Sequence, residues 1–167
     1  MSKTRIGVGL ISVGWMGNLH TRAYQSLSHI YPELDVEIEL VIAADTSEER
    51  AKYAKDVLSY IESTTDYHNV LSHPDVDVVS ICSPNFLHKE MGVAAAKAGK
   101  AILCTKPLAR NGAEAKRILD VVEKAGVFAG YLEDLCYTPK TLKAVKSVQN
   151  GAVGDVLWVR SRETHPG

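Results

Sequence analysis

Residues 6–17 read IGVGLISVGWMG, and this stretch decides the fold that the rest of the chain completes. The apolar run from Ile6 to Val13 is typical of a buried strand. It leads into a turn with the spacing G-x-G-x-x-G, in which Ser12 takes the place of the first glycine. The second glycine of such a turn lets the backbone approach a pyrophosphate, and the third lets a helix pack closely on the strand. The stretch therefore predicts a dinucleotide-binding turn built from Ser12, Gly14, Trp15, Met16 and Gly17.

Strand-like and helix-like segments alternate about five times along the chain. Further strands are predicted at residues 36–44, 76–82, 101–104 and 127–132, and helices at 16–29, 67–72, 87–98 and 111–125. Two capping boxes, Thr46 with Glu49 and Asn111 with Glu114, mark helix starts, and Thr138-Pro139 opens one more helix that ends at Gly151. This alternation predicts an α/β protein, a Rossmann-type doubly wound parallel sheet with helices on both faces.

The end of the chain departs from this alternation. Val156 to Glu163 is predicted as a strand, but no helix or partner strand follows it. The strand either docks on an edge of the sheet or belongs to a second domain. Trp158 lies in this segment with nothing evident to cover it.

Composition limits the classes of partner. The chain has 46% hydrophobic and 23% charged residues, as in an ordinary globular protein, and a formal net charge of -1. We therefore expect no nucleic-acid partner and no membrane partner, since there is no basic excess and no apolar run of about 18 residues. The three cysteines, Cys82, Cys104 and Cys136, show no CxxC spacing. They favour structural thiols in a reducing cytoplasm over a disulfide or a metal site, and we expect no bound metal.

Asp45 ends the second predicted strand, where an acidic residue of a dinucleotide-binding fold accepts hydrogen bonds from the adenosine ribose. A carboxylate there would repel a 2′-phosphate, so the sequence favours NAD, with NADP as the alternative. The competing interpretation is that Asp45 only helps to cap the next helix.

Two polar turns follow later strands, at the edge of the sheet where open α/β folds bind ligands. Ser83-Pro84-Asn85 is the first, with Asn85 as the predicted helix N-cap and His88 one turn further on, facing either the cleft or solvent. Lys106-Pro107 is the second. A lysine held there could bond to, or exchange a proton with, a hydroxyl that loses hydride, unless it is simply a surface lysine before a proline.

In this order, the segments resemble the Gfo/Idh/MocA family, the glucose–fructose oxidoreductase and inositol dehydrogenase group. The matching segments are the glycine turn followed by His20, then Asp45, Ser83-Pro84-Asn85 with His88, Lys106-Pro107, and finally Tyr137-Thr138-Pro139 and residues 151–156. The resemblance implies a dinucleotide-binding domain over residues 1–150. It also implies that residues 151–167 begin a truncated C-terminal domain, which supplies substrate contacts and a homo-oligomer interface in the full-length protein.

The resemblance further implies an enzyme, an NAD(P)-dependent dehydrogenase acting on a secondary alcohol of a sugar, inositol or similar polyol. Lys106 then takes the role of the lysine in the family's Glu-Lys-Pro motif, with Ser83, Pro84, Asn85, His88 and Pro107 around the cofactor. Thr105 departs from that motif, because the family usually has a glutamate there. The family's second catalytic group, often a histidine of the C-terminal domain, has no counterpart, since His165 comes too early. We therefore expect the 167-residue chain to bind cofactor without turnover; the alternative is a nucleotide-binding or regulatory module.

Overall fold

Six short strands pair in parallel to form one sheet. The strands are β1 (Thr4–Ile11), β2 (Val36–Ala44), β3 (Glu62–Thr64), β4 (Val78–Ile81), β5 (Ala101–Thr105) and β6 (Ala129–Leu132). Their order across the sheet is β3-β2-β1-β4-β5-β6. The chain therefore builds outward from β1 in one direction and then in the other, and the order reverses between β1 and β4. This is the doubly wound sheet that the sequence predicts.

Helices cover both faces of this sheet. They are α1 (Trp15–Ile30), α2 (Glu48–Asp56), α3 (Tyr67–Ser72), α4 (Asn85–Lys97) and α5 (Gly112–Ala125), and the chain continues to a further helix, α6 (Pro139–Gln149). On one face, α1 and α2 enclose a core that contains Val8, Leu10 and Ala54. On the other face, α3, α4 and α5 enclose a larger core that contains Val70, Ala95 and Ile118. Because both faces are covered, the central strands are almost continuously apolar.

Helix starts confirm one of the predicted caps and correct two. Asn111 caps α5, since its side chain accepts a hydrogen bond from the Glu114 N–H at 3.0 Å. The predicted cap at Thr46 is wrong by one residue: Ser47 caps α2, since its side chain accepts from the Arg50 N–H at 3.4 Å. Asp45 Oδ1 accepts from the Ser47 N–H at 3.0 Å and so holds the turn before the helix. Asn85 is the first residue of α4 and not its cap, which is Pro84.

The computed structural model describes residues 3–162 and 164, which fall into two compact units, Met1–Leu132 and Glu133–Gly167. The second unit contains a 3₁₀ helix at Asp134–Tyr137 and then α6, which Thr138 and Pro139 open as predicted. Gly151 follows α6 in the left-handed conformation, with φ of 69°. The domain boundary expected at residue 150 stays a prediction.

The predicted terminal strand is wrong over the residues that the structure describes. Residues 156–162 form no strand and take no place in the six-stranded sheet. Leu157 and Trp158 are 94% and 75% exposed. A β-branched, apolar sequence stays a strand only when another strand completes its hydrogen bonds, and the described part of the chain supplies none for this segment. Glu163 and His165 lie outside the described residues.

Three general properties of the described residues bear on function. No helix among them has the length and apolar character to cross a bilayer. Their acidic, histidine and cysteine side chains form no group of three or more that could hold a metal ion. Cys82 and Cys104 are buried free thiols, whereas Cys136 is a free thiol at the surface.

Candidate functional site

A cleft of about 220 Å³ opens where the strand order reverses, at the carboxyl ends of β1, β2 and β4. Parallel strands end at the same edge of a sheet, so polar residues that are far apart in sequence meet here. Four predicted site residues line the cleft: Ser12, Asp45, Ser83 and Pro84. The cleft also has lining residues that the sequence analysis did not select as ligand contacts: Thr46, Arg50, Thr65, Tyr67, Leu87 and Met91.

The glycine turn connects β1 to α1 and forms one wall of this region. Ser12 has a φ of 78°, so it adopts the left-handed conformation that the first glycine of such a turn normally takes. Gly14 is the N-cap of α1, and it leaves the first N–H groups of that helix without a side-chain partner. The first turn of α1 contains no acidic residue. The amino end of α1 therefore offers N–H donors and a partial positive charge to an anionic group.

Gly17 meets its neighbours much more closely than Gly14 does. A Cβ atom added to Gly17 would lie 2.2 Å from the Ser12 carbonyl oxygen and 3.3 Å from Leu10 Cδ2. A Cβ atom added to Gly14 would meet only Ser12 Oγ, at 3.9 Å. Gly17 is therefore required for the helix to approach the strand, whereas the space above Gly14 is available to a ligand. Trp15 lies exposed beside it, and Met16 packs partly against the α1 face of the sheet.

Asn18 stabilises the glycine turn and was not identified from the sequence. Its Nδ2 donates to the carbonyl oxygens of Val13 and Gly14, at 3.1 and 3.0 Å. The Gly14 carbonyl also accepts from the Asn18 backbone N–H at 3.0 Å, so Asn18 ties the turn to the start of α1. A short amide side chain one turn into a helix, able to reach back to the preceding backbone, is the signal that could have revealed it.

Asp45 is buried at the end of β2 and holds two turns at once. Its Oδ2 accepts from the N–H of Val13, which follows the neighbouring strand β1, at 2.9 Å. Its Oδ1 accepts from the Ser47 N–H. Asp45 thus helps to start the next helix, as the competing interpretation held, and also fixes the glycine turn. A carboxylate has about four lone-pair sites, so these two bonds leave it able to accept hydrogen bonds from a ligand in the cleft.

Ser83 has a buried hydroxyl without a hydrogen-bond partner. It lies after β4 and lines the cleft, while Pro84 is exposed and Asn85 is half-buried at the start of α4. Buried hydroxyls are nearly always hydrogen-bonded, so this one, at the edge of a cleft, is available to a hydrogen bond from a ligand.

His88 lies in α4 and is only 1% exposed. Its Nε2 is 2.7 Å from the Ser83 carbonyl oxygen, and its Nδ1 is 3.0 Å from the Pro107 carbonyl oxygen. It therefore faces neither solvent nor the open cleft. It lies between the two polar turns, and the expectation of direct cofactor contact has no exposed polar atom to support it.

Lys106 and Pro107 follow β5, and both are exposed. Their peptide bond is cis. Thr105 is buried, and its hydroxyl donates to the Ile81 carbonyl at 3.2 Å, which ties the end of β5 to the end of β4. The hydroxyl of Thr105 thus bonds to the neighbouring strand and not to Lys106.

Further along the same loop, Glu114 of α5 binds Arg110. Glu114 accepts from Arg110 Nε at 3.1 Å and from the Arg110 backbone N–H at 3.3 Å, and Lys89 Nζ of α4 lies 3.7 Å from it. The loop that carries Lys106 is thus fixed at its distal end.

His20 lies on α1 in a polar group against β4. Its Nδ1 is 2.9 Å from Ser80 Oγ and 3.4 Å from Cys82 Sγ, and the Tyr24 hydroxyl donates to Ser80 at 3.0 Å. Burial raises the pKa of Tyr24 and that of Cys82, each to about 12. The Tyr24 hydroxyl and the Cys82 thiol therefore stay protonated at neutral pH, and these hydrogen bonds join α1 to β4.

The residues around the cleft fit a dinucleotide. The open space at Gly14, the uncapped helix end, the carboxylate of Asp45 and the unpaired Ser83 hydroxyl are the features that such a ligand would use. With strand order β3-β2-β1-β4-β5-β6, they define the class of nucleotide-binding Rossmann proteins.

Comparison with known proteins identifies the family within that class. The model of the Gfo/Idh/MocA family, described as an oxidoreductase family with an NAD-binding Rossmann fold, matches residues 6–131. The chain belongs to this family.

Two curated relatives and one solved structure illustrate the similarity. Levoglucosan dehydrogenase of Pseudarthrobacter phenanthrenivorans is 36% identical over 93% of this chain and 40% of its own length. Myo-inositol 2-dehydrogenase of Thermotoga maritima is 31% identical over 95% of this chain and 46% of its own length. A structure of levoglucosan dehydrogenase in complex with NADH and levoglucosan superposes with a TM-score of 0.86 at 34% identity, over 90% of this chain and 41% of that one. The chain thus spans less than half the length of these relatives.

Proposed function

We propose that this chain is the cofactor-binding half of a dehydrogenase that prefers NAD and acts on a secondary alcohol of a sugar, inositol or similar polyol. One observation supports the cofactor part: Asp45, Ser83 and Ser12 of the glycine turn line the same cleft at the strand reversal. The substrate class rests on the relatives, which are named as levoglucosan and inositol dehydrogenases. The division into residues 1–150 and a second domain belongs to the same proposal.

The proposed roles of the residues follow from their places around the cleft. The amino end of α1 and the surface of Gly14 receive the pyrophosphate, and Asp45 accepts hydrogen bonds from the adenosine ribose. A Rossmann fold consists of two halves that each bind one mononucleotide, so the nicotinamide then lies on the β4 side, near Ser83 and Asn85. When bound, NAD supplies the hydride acceptor. Lys106, exposed after β5, hydrogen-bonds to the substrate hydroxyl and takes part in moving its proton.

Cofactor preference is tested by calorimetry with NAD and NADP on the unaltered chain, Asp45→Ala and Asp45→Asn. We expect NAD to bind more tightly than NADP to the unaltered chain. Asp45→Ala should weaken NAD by about 1.5–3 kcal/mol, the contribution of hydrogen bonds to a charged acceptor, and should weaken NADP less. Asp45→Asn keeps the size of the side chain and one acceptor oxygen, for the N–H of Val13 or of Ser47, but removes the charge and the second acceptor. It should therefore reduce the preference for NAD over NADP. Tighter NADP binding by the unaltered chain would show that the role given to Asp45 is wrong.

Turnover is tested separately, by following NADH formation with levoglucosan and with myo-inositol. We expect the 167-residue chain to bind NAD and to form no NADH with either polyol. Rapid turnover by this chain alone would contradict the proposal that half of the catalytic site lies elsewhere. No response to NAD at all would contradict the proposed function itself.

A further inference from the structure

We propose that His88 is a positioning residue that sets the separation of the two polar turns beside the nicotinamide, and thereby the place of Lys106. The inference rests on the proposed function, because it assumes that these turns face the nicotinamide. It goes beyond that function by giving a role to a buried side chain that touches neither cofactor nor substrate.

The geometry of the imidazole carries the argument. His88 presents Nε2 to the Ser83 carbonyl at 2.7 Å and Nδ1 to the Pro107 carbonyl at 3.0 Å. Carbonyl oxygens only accept, so a neutral ring donates to one of them and a protonated ring donates to both. Ser83 follows β4 and Pro107 follows β5, so one planar ring spans the ends of two neighbouring strands. The two ring nitrogens have a fixed separation, which a flexible side chain would not impose on the two carbonyls.

The turn at Lys106 has no comparable constraint from its own side chains. Lys106 and Pro107 are exposed, and Lys106 relies on its neighbours for a defined backbone position. Thr105, directly before Lys106, donates its hydroxyl to the Ile81 carbonyl. The carbonyl of Pro107, directly after Lys106, contacts Nδ1 of His88. The backbone of Lys106 is therefore fixed on both sides while its ammonium group stays free to meet a substrate.

A purely structural role for His88 would give a different pattern of ligand affinities from a positioning role. A histidine that only fills the core would, when replaced, destabilise the fold and weaken all cofactor fragments to a similar extent. A ring that positions the β4 and β5 turns should affect the nicotinamide half of the ligand alone, because the adenosine half lies against Asp45 and the glycine turn. The ligands that separate these cases are NAD and ADP-ribose, which lacks the nicotinamide.

The experiment uses the 167-residue chain and the two variants His88→Gln and His88→Asn. Glutamine can place an amide donor near the Nε2 position and keep the bond to Ser83, whereas asparagine can place one near Nδ1 and keep the bond to Pro107. Each variant therefore keeps a donor toward only one of the two carbonyls and keeps a polar side chain in the buried site. Val122→Ala, a core truncation in α5, serves as the control for general destabilisation.

For a His88 variant that loses a donated hydrogen bond, we expect NAD affinity to fall by about fivefold, the effect of one such bond. For both variants, we expect ADP-ribose affinity to stay within about twofold. The emission of bound NADH, which reports how firmly the reduced nicotinamide is held, should return toward that of free NADH. Val122→Ala should lower the unfolding midpoint without changing either quantity.

Two other results would overturn the inference in distinguishable ways. If the unaltered chain binds NAD and both His88 variants bind NAD and ADP-ribose with equal losses, or with none, His88 does not position the nicotinamide side, and the proposed function stands. If the unaltered chain binds neither ligand, the proposed function fails, and the inference fails with it.

Discussion

Gly14 and Gly17 lie three positions apart in the β1–α1 turn but have different surroundings. We therefore expect Gly17 to be needed for folding and Gly14 for binding. We expect Gly17→Ala to destabilise the chain by about 1–3 kcal/mol, as overpacking does, because its Cβ would lie 2.2 Å from the Ser12 carbonyl oxygen. We expect Gly14→Ala to leave the unfolding free energy nearly unchanged and to weaken NAD binding. Urea unfolding and calorimetry measure the two quantities.

The pair serves as its own control, since the same methyl group is added to the same turn. The assignment of Gly14 to ligand approach would be wrong if Gly14→Ala bound NAD as tightly as the unaltered chain. The packing argument for Gly17 would be wrong if its alanine variant unfolded at an unchanged urea concentration.

The three thiols differ in accessibility, and this predicts which one reacts. Burial raises the pKa of the Cys82 thiol and that of the Cys104 thiol to about 12 each, so thiolate is scarce at both at neutral pH. Cys136 is exposed. In the folded chain, a thiol reagent should therefore modify Cys136 alone, and in urea it should modify Cys82 and Cys104 as well. Mass spectrometry of labelled peptides identifies the sites; rapid labelling of Cys82 without denaturant would contradict the burial.

At the scale of elements, the amino end of α5 depends on an ion pair that pH can break. Hydrogen bonds from Arg110 lower the pKa of the Glu114 carboxyl from 4.5 to about 2. Because the folded-state pKa lies below the unfolded value, the stabilisation is fully present above pH 4.5 and is lost as pH falls toward 2. The destabilisation caused by Glu114→Gln should therefore be largest near neutral pH and should shrink across this interval.

An NMR titration of the Glu114 carboxyl tests the cause directly. The midpoint should lie near 2 in the unaltered chain and should rise toward 4.5 in Arg110→Met. A midpoint that does not move in Arg110→Met would show that Arg110 is not the cause.

The sequence predicted best those elements whose apolar residues are the ones that the fold buries and whose ends are polar. β2 and α3 match the predicted segments 36–44 and 67–72, because both sides of each are marked by polar residues. β3 was missed, since Glu62–Thr64 has no apolar pattern and exists through pairing with Ile42–Ala44 of β2. Residues 156–162 show the reverse case, a strand-like sequence without a partner strand among the described residues.

At the scale of the whole molecule, the sequence predicts those site residues that directly follow a strand. A parallel sheet brings its carboxyl ends to one edge, so the neighbouring places of Ser12, Asp45 and Ser83 follow from the order of segments alone. The roles of Asn18 and His88 did not follow, because each depends on which carbonyl a side chain reaches in three dimensions. Arg50 and Tyr67 were not selected as cleft residues for a similar reason: they come from α2 and α3, whose orientation the sequence pattern leaves open.

The division of the chain into two units predicts which residues the nucleotide-binding fold requires for stability. Every buried core residue of the described chain lies between Val8 and Val122, and the cleft is lined by residues between Ile11 and Met91. None of the described residues after Leu132 is buried. A chain that ends at Leu132 should therefore unfold cooperatively at nearly the same urea concentration as the 167-residue chain and should bind NAD with the same affinity.

A chain that ends at Gly126 is the matched control for this truncation. It also lacks β6, which pairs with Ile102–Thr105 of β5. Loss of those hydrogen bonds leaves an apolar strand as an open edge, so this shorter chain should be less stable and more prone to aggregate. Circular dichroism during urea unfolding and calorimetry with NAD compare the three lengths. If ending the chain at Leu132 abolished cooperative unfolding, the second unit would be part of the folding unit, and the nucleotide-binding fold would not be self-sufficient.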